Sequence, residues 1–458
     1  MVFSSLLFLF WFLPIFFLIY YVCPAKWRNI VLFAGSIVFY GWGEPRFLIL
    51  LLLSIGVNYA TGLSIAHFLP DRMKMARMCL ILGLTFDFGM LLFFKYINFF
   101  IENINRITGA GLSEISVTLP LGISFYTFQI ASYVIDVYRG RVEKERSVLT
   151  LGTYLCMFPQ LIAGPIVVYS DVAKALHERK VTLTDLAEGI SVFILGLGSK
   201  VLIANNVGAL FTEAGNLGYE NLSMPMAWLS MLSFSLQIYF DFNGYSLMAI
   251  GLGKMLGFSF PKNFNHPYVS GSITEFWRRW HMTLSGWFRE YVYIPLGGNR
   301  KGTARTYVNL LIVWALTGFW HGADWNFVLW GLFFFVVLSL EKLFLTDFLE
   351  QHRVFAQVYA KLLIAFSWMI FAITDLGQIG VFFRQLFCFR AGDDALYAVQ
   401  NYGIFLLIGC ILSTPVFAGL YEKWKLRAPG IIASFLILFA SVAYLADAGY
   451  NPFLYFRF

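Results

Sequence analysis

The chain has 458 residues; 59% are hydrophobic and 13% are charged, and the mean hydropathy is +0.70. Soluble domains run at about 45–50% apolar and about 25% charged, so this composition excludes a soluble globule, a disordered chain, a collagen-like repeat and a secreted disulfide scaffold. It predicts an all-α polytopic membrane protein. The net charge of +7, from 33 Lys and Arg against 26 Asp and Glu, fits loops at an anionic leaflet; no nucleic-acid or zinc-finger pattern accompanies it.

A membrane helix needs about 20 apolar residues. In chain order the candidates lie near 3–22, 29–43, 46–69, 78–101, 117–138, 185–212, 225–253, 306–320, 324–343, 355–377, 403–420 and 430–447. Soft boundaries make this an expectation of 10 to 12 spans. The first run, Val2 to Val22, lacks the basic n-region and A-x-A site of a signal peptide and reads as a retained span. Basic clusters at 71–77, 139–146 and 422–427 are expected in the cytoplasm, and the acidic loop Thr212 to Met224 outside. Alternating spans between them put both termini outside. Cys23, Cys79, Cys156, Cys388 and Cys410 form no CxxC pair and read as small core residues.

Two stretches fit no simple span. Residues 149–169 are apolar but broken by Pro159, Gly164 and Pro165; residues 261–306 are amphipathic and rich in Trp, Arg and Gly. Irregular backbone at membrane depth is tolerated only inside protein or along a wet cavity, so both are candidate re-entrant or cavity-lining segments. The second also fits interfacial helices lying flat on the membrane. With no internal repeat and no linker, one integral membrane domain over 1–458 is expected.

No GxSxG, Walker A, HExxH or GxGxxG motif is present, which leaves polar groups set in apolar surroundings. His321 follows about 15 mostly apolar residues and precedes another apolar run. Imidazole suits proton transfer near neutral pH, and a neutral histidine bonded to a carbonyl is the plainer alternative. His281 lies in an aromatic, basic segment. On one helix it would share a face with Trp277, Arg278 and Ser285, and an interfacial aromatic belt gives the same composition. Downstream, Arg300, Lys301 and Arg305 among glycines suit phosphates or ordinary cytoplasmic charge. Asp241, well inside a span, needs a partner. It either orients a catalytic group, binds an ion or knots two helices.

Phe276-Trp-Arg-Arg-Trp-His281, Tyr293-Ile-Pro-Leu-Gly-Gly-Asn-Arg-Lys-Gly302 and Gly318-Phe-Trp-His-Gly322 resemble the membrane-bound O-acyltransferase (MBOAT) family. Met1-Val-Phe-Ser-Ser5, Leu119-Pro-Leu-Gly-Ile-Ser-Phe-Tyr126, Ile135-Asp-Val-Tyr-Arg-Gly140, Ile162-Ala-Gly-Pro165, Tyr239-Phe-Asp-Phe242 and the ending Gly449 to Phe458 extend the match along the chain. The branch that it resembles is the alginate O-acetyltransferase membrane subunit and its cell-wall polysaccharide relatives. The resemblance implies a ring of tilted helices around a central funnel in a bacterial cytoplasmic membrane. It implies His321 as the catalytic histidine and His281 as the second, supporting one. Asp241, Asn243, Asp324 and Gln160 are candidate supporting residues, and Arg278, Arg300, Lys301 and Arg305 candidates for the donor's phosphates.

The implied reaction moves an acetyl group from cytosolic acetyl-CoA to hydroxyls of an extracytoplasmic polysaccharide, through a separate acetyltransferase subunit or small adaptor. Neither a metal nor a permanently bound cofactor is expected. His321 would act as general base, with His281 or a backbone N–H stabilising the oxyanion or helping the thiolate leave. The chain departs from alginate enzymes at Gln160, where they typically carry His, and at Leu247, where they typically carry Asp. Both departures point away from alginate itself, and the acceptor stays open among peptidoglycan, teichoic-acid-like, cellulose-like and other exopolysaccharide polymers. D-alanyl or other acyl transfer, and a transporter or flippase of a lipid-linked sugar, are the competing readings.

Overall fold

Long apolar runs satisfy their backbone groups inside a membrane only as helices or closed barrels. In the computed structural model no strand occurs among the described residues, which are all but Ala391, 448–453 and 455–458. Two compact units divide the chain. The first comprises Met1–Phe193 and Met248–Pro261, the second Ile194–Leu247 and Lys262–Phe458.

The first unit opens with a π-helical turn, Phe8–Phe12, that leads into α1 (Leu13–Val22). Then come α2 (Arg28–Gly43), α3 (Leu48–Phe68), α4 (Met73–Thr108) and α5 (Ile123–Tyr138). Pro120 and Gly122 delay the start of α5 to residue 123. Gly122 has φ +77°, and a Cβ there would sit 2.4 Å from the Leu161 carbonyl oxygen, so no larger residue fits.

The stretch at 149–169 forms α6 (Val148–Cys156) and the single turn α7 (Phe158–Leu161), then extended chain, with residues 151–167 wholly buried. Its loose polar groups are met inside protein. Phe158 N–H donates to Ser36 Oγ at 3.0 Å, and the Tyr154 hydroxyl to the Val167 carbonyl at 3.0 Å. Helices α8 (Tyr169–His177) and α9 (Leu183–Gly198) follow.

A π-helical turn at Ser199–Ala204 carries α9 into α10 (Asn205–Leu217), and α11 (Met224–Met255) comes next. The segment 261–302 is short pieces, chiefly α12 (Ile273–Arg279) and α13 (Met282–Phe288), the latter continued by a π turn at Arg289–Tyr293. Then come α14 (Thr303–His321), α15 (Trp325–Leu340), α16 (Thr346–Gln351), α17 (Arg353–Ala372) and α18 (Leu376–Gln385). The chain closes with α19 (Asp394–Leu412), α20 (Ala418–Trp424) and α21 (Ala428–Asp447). All five cysteines are free.

Among the described residues, seven helical runs are long and apolar enough to cross a membrane: Pro45–Phe68, Met73–Thr108, Leu183–Leu217, Trp325–Gln351, Arg353–Ala372, Asp394–Leu412 and Ala428–Asp447. The other expected spans are helical but shorter or more polar. One expectation is displaced. The span near 403–420 runs instead over Asp394–Leu412, because Pro415 cannot continue a helix and bars the residue before it from α geometry.

Candidate functional site

The expected helical face around His281 does not form, because α12 ends at Arg279 and α13 begins at Met282. His281 stands between them at φ +42° and ψ +54°, in the left-handed region. A non-glycine residue there is strained and is held by its surroundings. Asn263 does the holding: its carbonyl accepts from Met282 N–H at 2.9 Å. Its side-chain Oδ1 faces His281 Nδ1 at 3.0 Å and accepts from Thr283 Oγ1 at 2.9 Å and Thr283 N–H at 3.4 Å, while Nδ2 donates to Ser246 Oγ at 3.0 Å.

These contacts fix a tautomer. The Thr283 N–H can only donate, so the atom that it meets is the Asn263 oxygen, and His281 presents its proton on Nδ1. Its Nε2 is then a bare lone pair, fully buried and without a partner among the described residues. Burial pulls the His281 pKa down to about 3, so the ring is neutral throughout the physiological range. Neutral in this tautomer, Nε2 accepts a hydrogen bond and does not donate one. In that state Nε2 has no N–H to offer an oxyanion.

His321 ends α14 and is 6% exposed. Its ring meets Trp320 at 5.0 Å, Trp330 at 5.0 Å and Phe371 at 5.2 Å between centroids, each nearly edge-on. Trp320 also lies 6.2 Å from the His281 ring, so one indole borders both histidines. The position depends on a tight helix crossing. A Cβ on Gly318 would lie 2.4 Å from the Phe327 carbonyl oxygen, and one on Gly331 2.5 Å from that of Trp314. Without side chains the two backbones touch. The indole N–H groups of Trp277 and Trp330 are buried with no acceptor among the described residues. This aromatic enclosure therefore holds a bare acceptor on His281 and two bare donors.

The other candidates take varied places. Asp241 is buried on α11 and pairs with the buried Lys200 ammonium, and its second oxygen accepts from Leu454 N–H at 2.9 Å. It knots α11 to the π turn at 199–204 and to the chain's end; apart from Leu454, the terminal motif Gly449 to Phe458 lies outside the described residues. Asn243 is half-buried two residues on. Asp324 caps α15, accepting from Trp325 N–H at 2.7 Å. Arg278, Arg300, Lys301 and Arg305 are all exposed. Gln160 belongs to the first unit, where its amide donates to the Tyr154 carbonyl at 2.5 Å.

The membrane-bound O-acyltransferase (MBOAT) family profile matches residues 143–376. The chain belongs to the membrane-bound O-acyltransferase family. Among MBOAT relatives, the "probable alginate O-acetylase AlgI" of Azotobacter vinelandii is 42% identical over 401 residues, 86% of this chain and 79% of its own. The protein of that name from Pseudomonas putida is 39% identical over 492 aligned positions that cover both chains completely. The "peptidoglycan O-acetyltransferase" of Helicobacter pylori is 37% identical over 412 residues, 82% of this chain and 78% of its own. This MBOAT protein is thus a multi-pass membrane O-acyltransferase.

Sequence reasoning missed several residues on which the enclosure depends. Asn263 orients His281, and Lys200 answers Asp241. Glu341 is buried and accepts from Ile273 N–H at 2.6 Å and Thr274 N–H at 2.8 Å, holding the start of α12. Asn326 donates to the Ile370 and Phe371 carbonyls at 3.2 and 2.9 Å, fixing the end of α17 where Phe371 meets His321. The signal for Lys200 was in the sequence, a lone cation within an apolar span.

Proposed function

We propose that this protein moves an acetyl group from cytosolic acetyl-CoA to hydroxyls of an extracytoplasmic polysaccharide across the bacterial cytoplasmic membrane, handing it to a separate acetyltransferase subunit. The observation that carries the reading is the enclosed pair, His281 and His321, bordered by one indole in a chain of this family. The relatives' names, alginate and peptidoglycan O-acetylases, supply the polymer class.

The chemistry follows from the groups present. A hydroxyl of the partner or the glycan presents its one proton to His321, and a neighbouring hydroxyl of the acceptor donates to His281 Nε2, which orients it. His321 takes the hydroxyl proton as the oxygen attacks the thioester carbonyl, a role worth about 10²–10⁴-fold. The new C–O bond forms, the C–S bond breaks, and the proton passes to the departing thiolate, so that ester and free thiol balance the step. The carbonyl oxygen, negative in the transition state, is met by the Trp330 indole N–H, which has no acceptor among the described residues. The exposed Arg300, Lys301 and Arg305 suit the donor's phosphates at the surface.

The test is acetyl release from labelled acetyl-CoA by proteoliposomes bearing a hydroxyl-rich glycan and a candidate partner outside. Thioester consumption by the wild type, with label outside and a loss of about 10²-fold or more in His321→Ala, is expected. Unchanged turnover in that variant defeats the assignment of His321. Movement of a sugar substrate without thioester consumption would make the protein a transporter instead.

A further inference from the structure

The first unit contains a polar seam that acetyl transfer does not use. Asp87, near the middle of α4, is 1% exposed, and its Oδ1 accepts from Asn58 Nδ2 at 2.7 Å. No Lys, Arg or His among the described residues pairs with it. Five buried oxygens have no hydrogen-bond partner among the described residues: Asp87 Oδ2, Asn58 Oδ1, Ser54 Oγ and the hydroxyls of Tyr126 and Tyr40. Each of these side chains is at most 1% exposed.

Helix register brings them together. Gly83 packs on Thr61, where a Cβ would meet Thr61 Cγ2 at 2.7 Å, and one turn along the seam Asn58 meets Asp87. Helices α3 and α4 therefore run antiparallel, with Ser54 and Asn58 on the face that α4 covers. A Cβ on Gly62 would lie 2.7 Å from the Tyr133 hydroxyl, which sets α5 alongside. Two turns back on α5, Tyr126 is at the level of Ser54 and Asn58, within electrostatic reach of both Asp87 and Tyr40.

We propose that this seam binds a monovalent cation, with sodium as the probe of choice. A carboxylate inside a membrane unit needs a counter-charge. One carboxylate balances one positive charge, and the remaining atoms are neutral oxygens. An oxygen-only set suits a hard cation and offers nothing to a soft metal. Asp87 supplies the charge, Asn58, Ser54 and Tyr126 complete the shell, and Tyr40 closes it on the α2 side. The role is to lock α2 to α5 together, since a ligand bound only by the folded form stabilises it in proportion to its occupancy.

Thermal unfolding of the purified full-length protein in sodium, potassium or choline chloride at equal ionic strength tests this. A saturable rise in Tm with sodium, absent in choline and lost in Asp87→Asn, is expected. Tyr126→Phe should raise the half-saturating concentration by about tenfold, the effect of one weakened ligand. Should Asp87→Asn fail to fold, equilibrium dialysis of the wild type against radioactive sodium still decides, with one ion per chain expected. Equal Tm in the three salts overturns the proposal, as does no retained sodium. A Tm that ignores sodium but falls as pH rises also overturns it, because that marks Asp87 as a neutral acid.

Discussion

His281 is kept in an unfavourable backbone conformation and stripped of water, and Asn263 makes both tolerable. Asn263→Ala removes the acceptor that fixes the proton on Nδ1 and should lower kcat by about 10²-fold with a smaller effect on KM for the thioester. Steady-state kinetics in proteoliposomes would show the split. The pH profile tests His281. Burial pulls its pKa down to about 3, so an acid limb between pH 5 and 8 belongs to another group. His281→Asn, whose new side chain tolerates left-handed geometry, should lower the plateau and leave the limb's midpoint in place. A moved midpoint would give the titration to His281. Asp241 and Lys200 make a different case, because each is the other's counter-charge in a buried setting. Lys200→Met alone should cost about 3–5 kcal/mol, while Lys200→Met with Asp241→Leu should return close to wild type. Chemical unfolding in detergent would measure both.

Between elements, contact without side chains sets the geometry. Helices α14 and α15 cross at Gly318 and Gly331, and His321 lies less than one turn beyond that crossing. Gly318→Ala should destabilise by about 1–3 kcal/mol through overpacking and should displace His321, costing activity beyond the loss of folded protein. Gly286 on α13 is the control. A Cβ there meets nothing within 4 Å, so Gly286→Ala should be neutral or stabilise by about 0.5–1 kcal/mol. Thermal melts beside turnover assays would distinguish crowding from a general intolerance of alanine. At the start of α12, Glu341 takes the N–H groups that the first helical turn leaves over. Its replacement by Gln keeps one acceptor oxygen where the carboxylate has two, and the loosened turn carries Trp277.

Across the described residues, apolar run length located the long helices and not the short ones, because lipid offers a spanning backbone no partner other than itself. Where polar punctuation competes with hydropathy, the boundary slipped: α19 begins at Asp394 and carries Gln400 and Asn401 in its first half, and it ends before Pro415. The site was legible as motifs. His321 and His281 stand out as imidazoles in apolar surroundings, and the family resemblance gave them roles. Their geometry was not legible. Nothing in the run from Phe276 to Pro295 announces a left-handed residue in mid-segment, and Asn263 and Glu341 reach α12 and α13 from 18 and 68 residues away. Such contacts follow from tertiary packing, which a local pattern does not encode.

The discontinuous make-up of the first unit also dictates a schedule for biosynthesis. Met248–Pro261 belongs to it, and Tyr20 donates its hydroxyl to the Leu256 carbonyl at 2.9 Å. A ribosome making this chain must therefore translate the intervening Ile194–Leu247 before the first unit is complete. Until then the proline-broken run around Pro159, which needs Ser36 and its other partners to shelter its backbone, has no finished compartment to enter. Nascent chains arrested before residue 248 should stay open to protease there, and those arrested well after 261 should resist it.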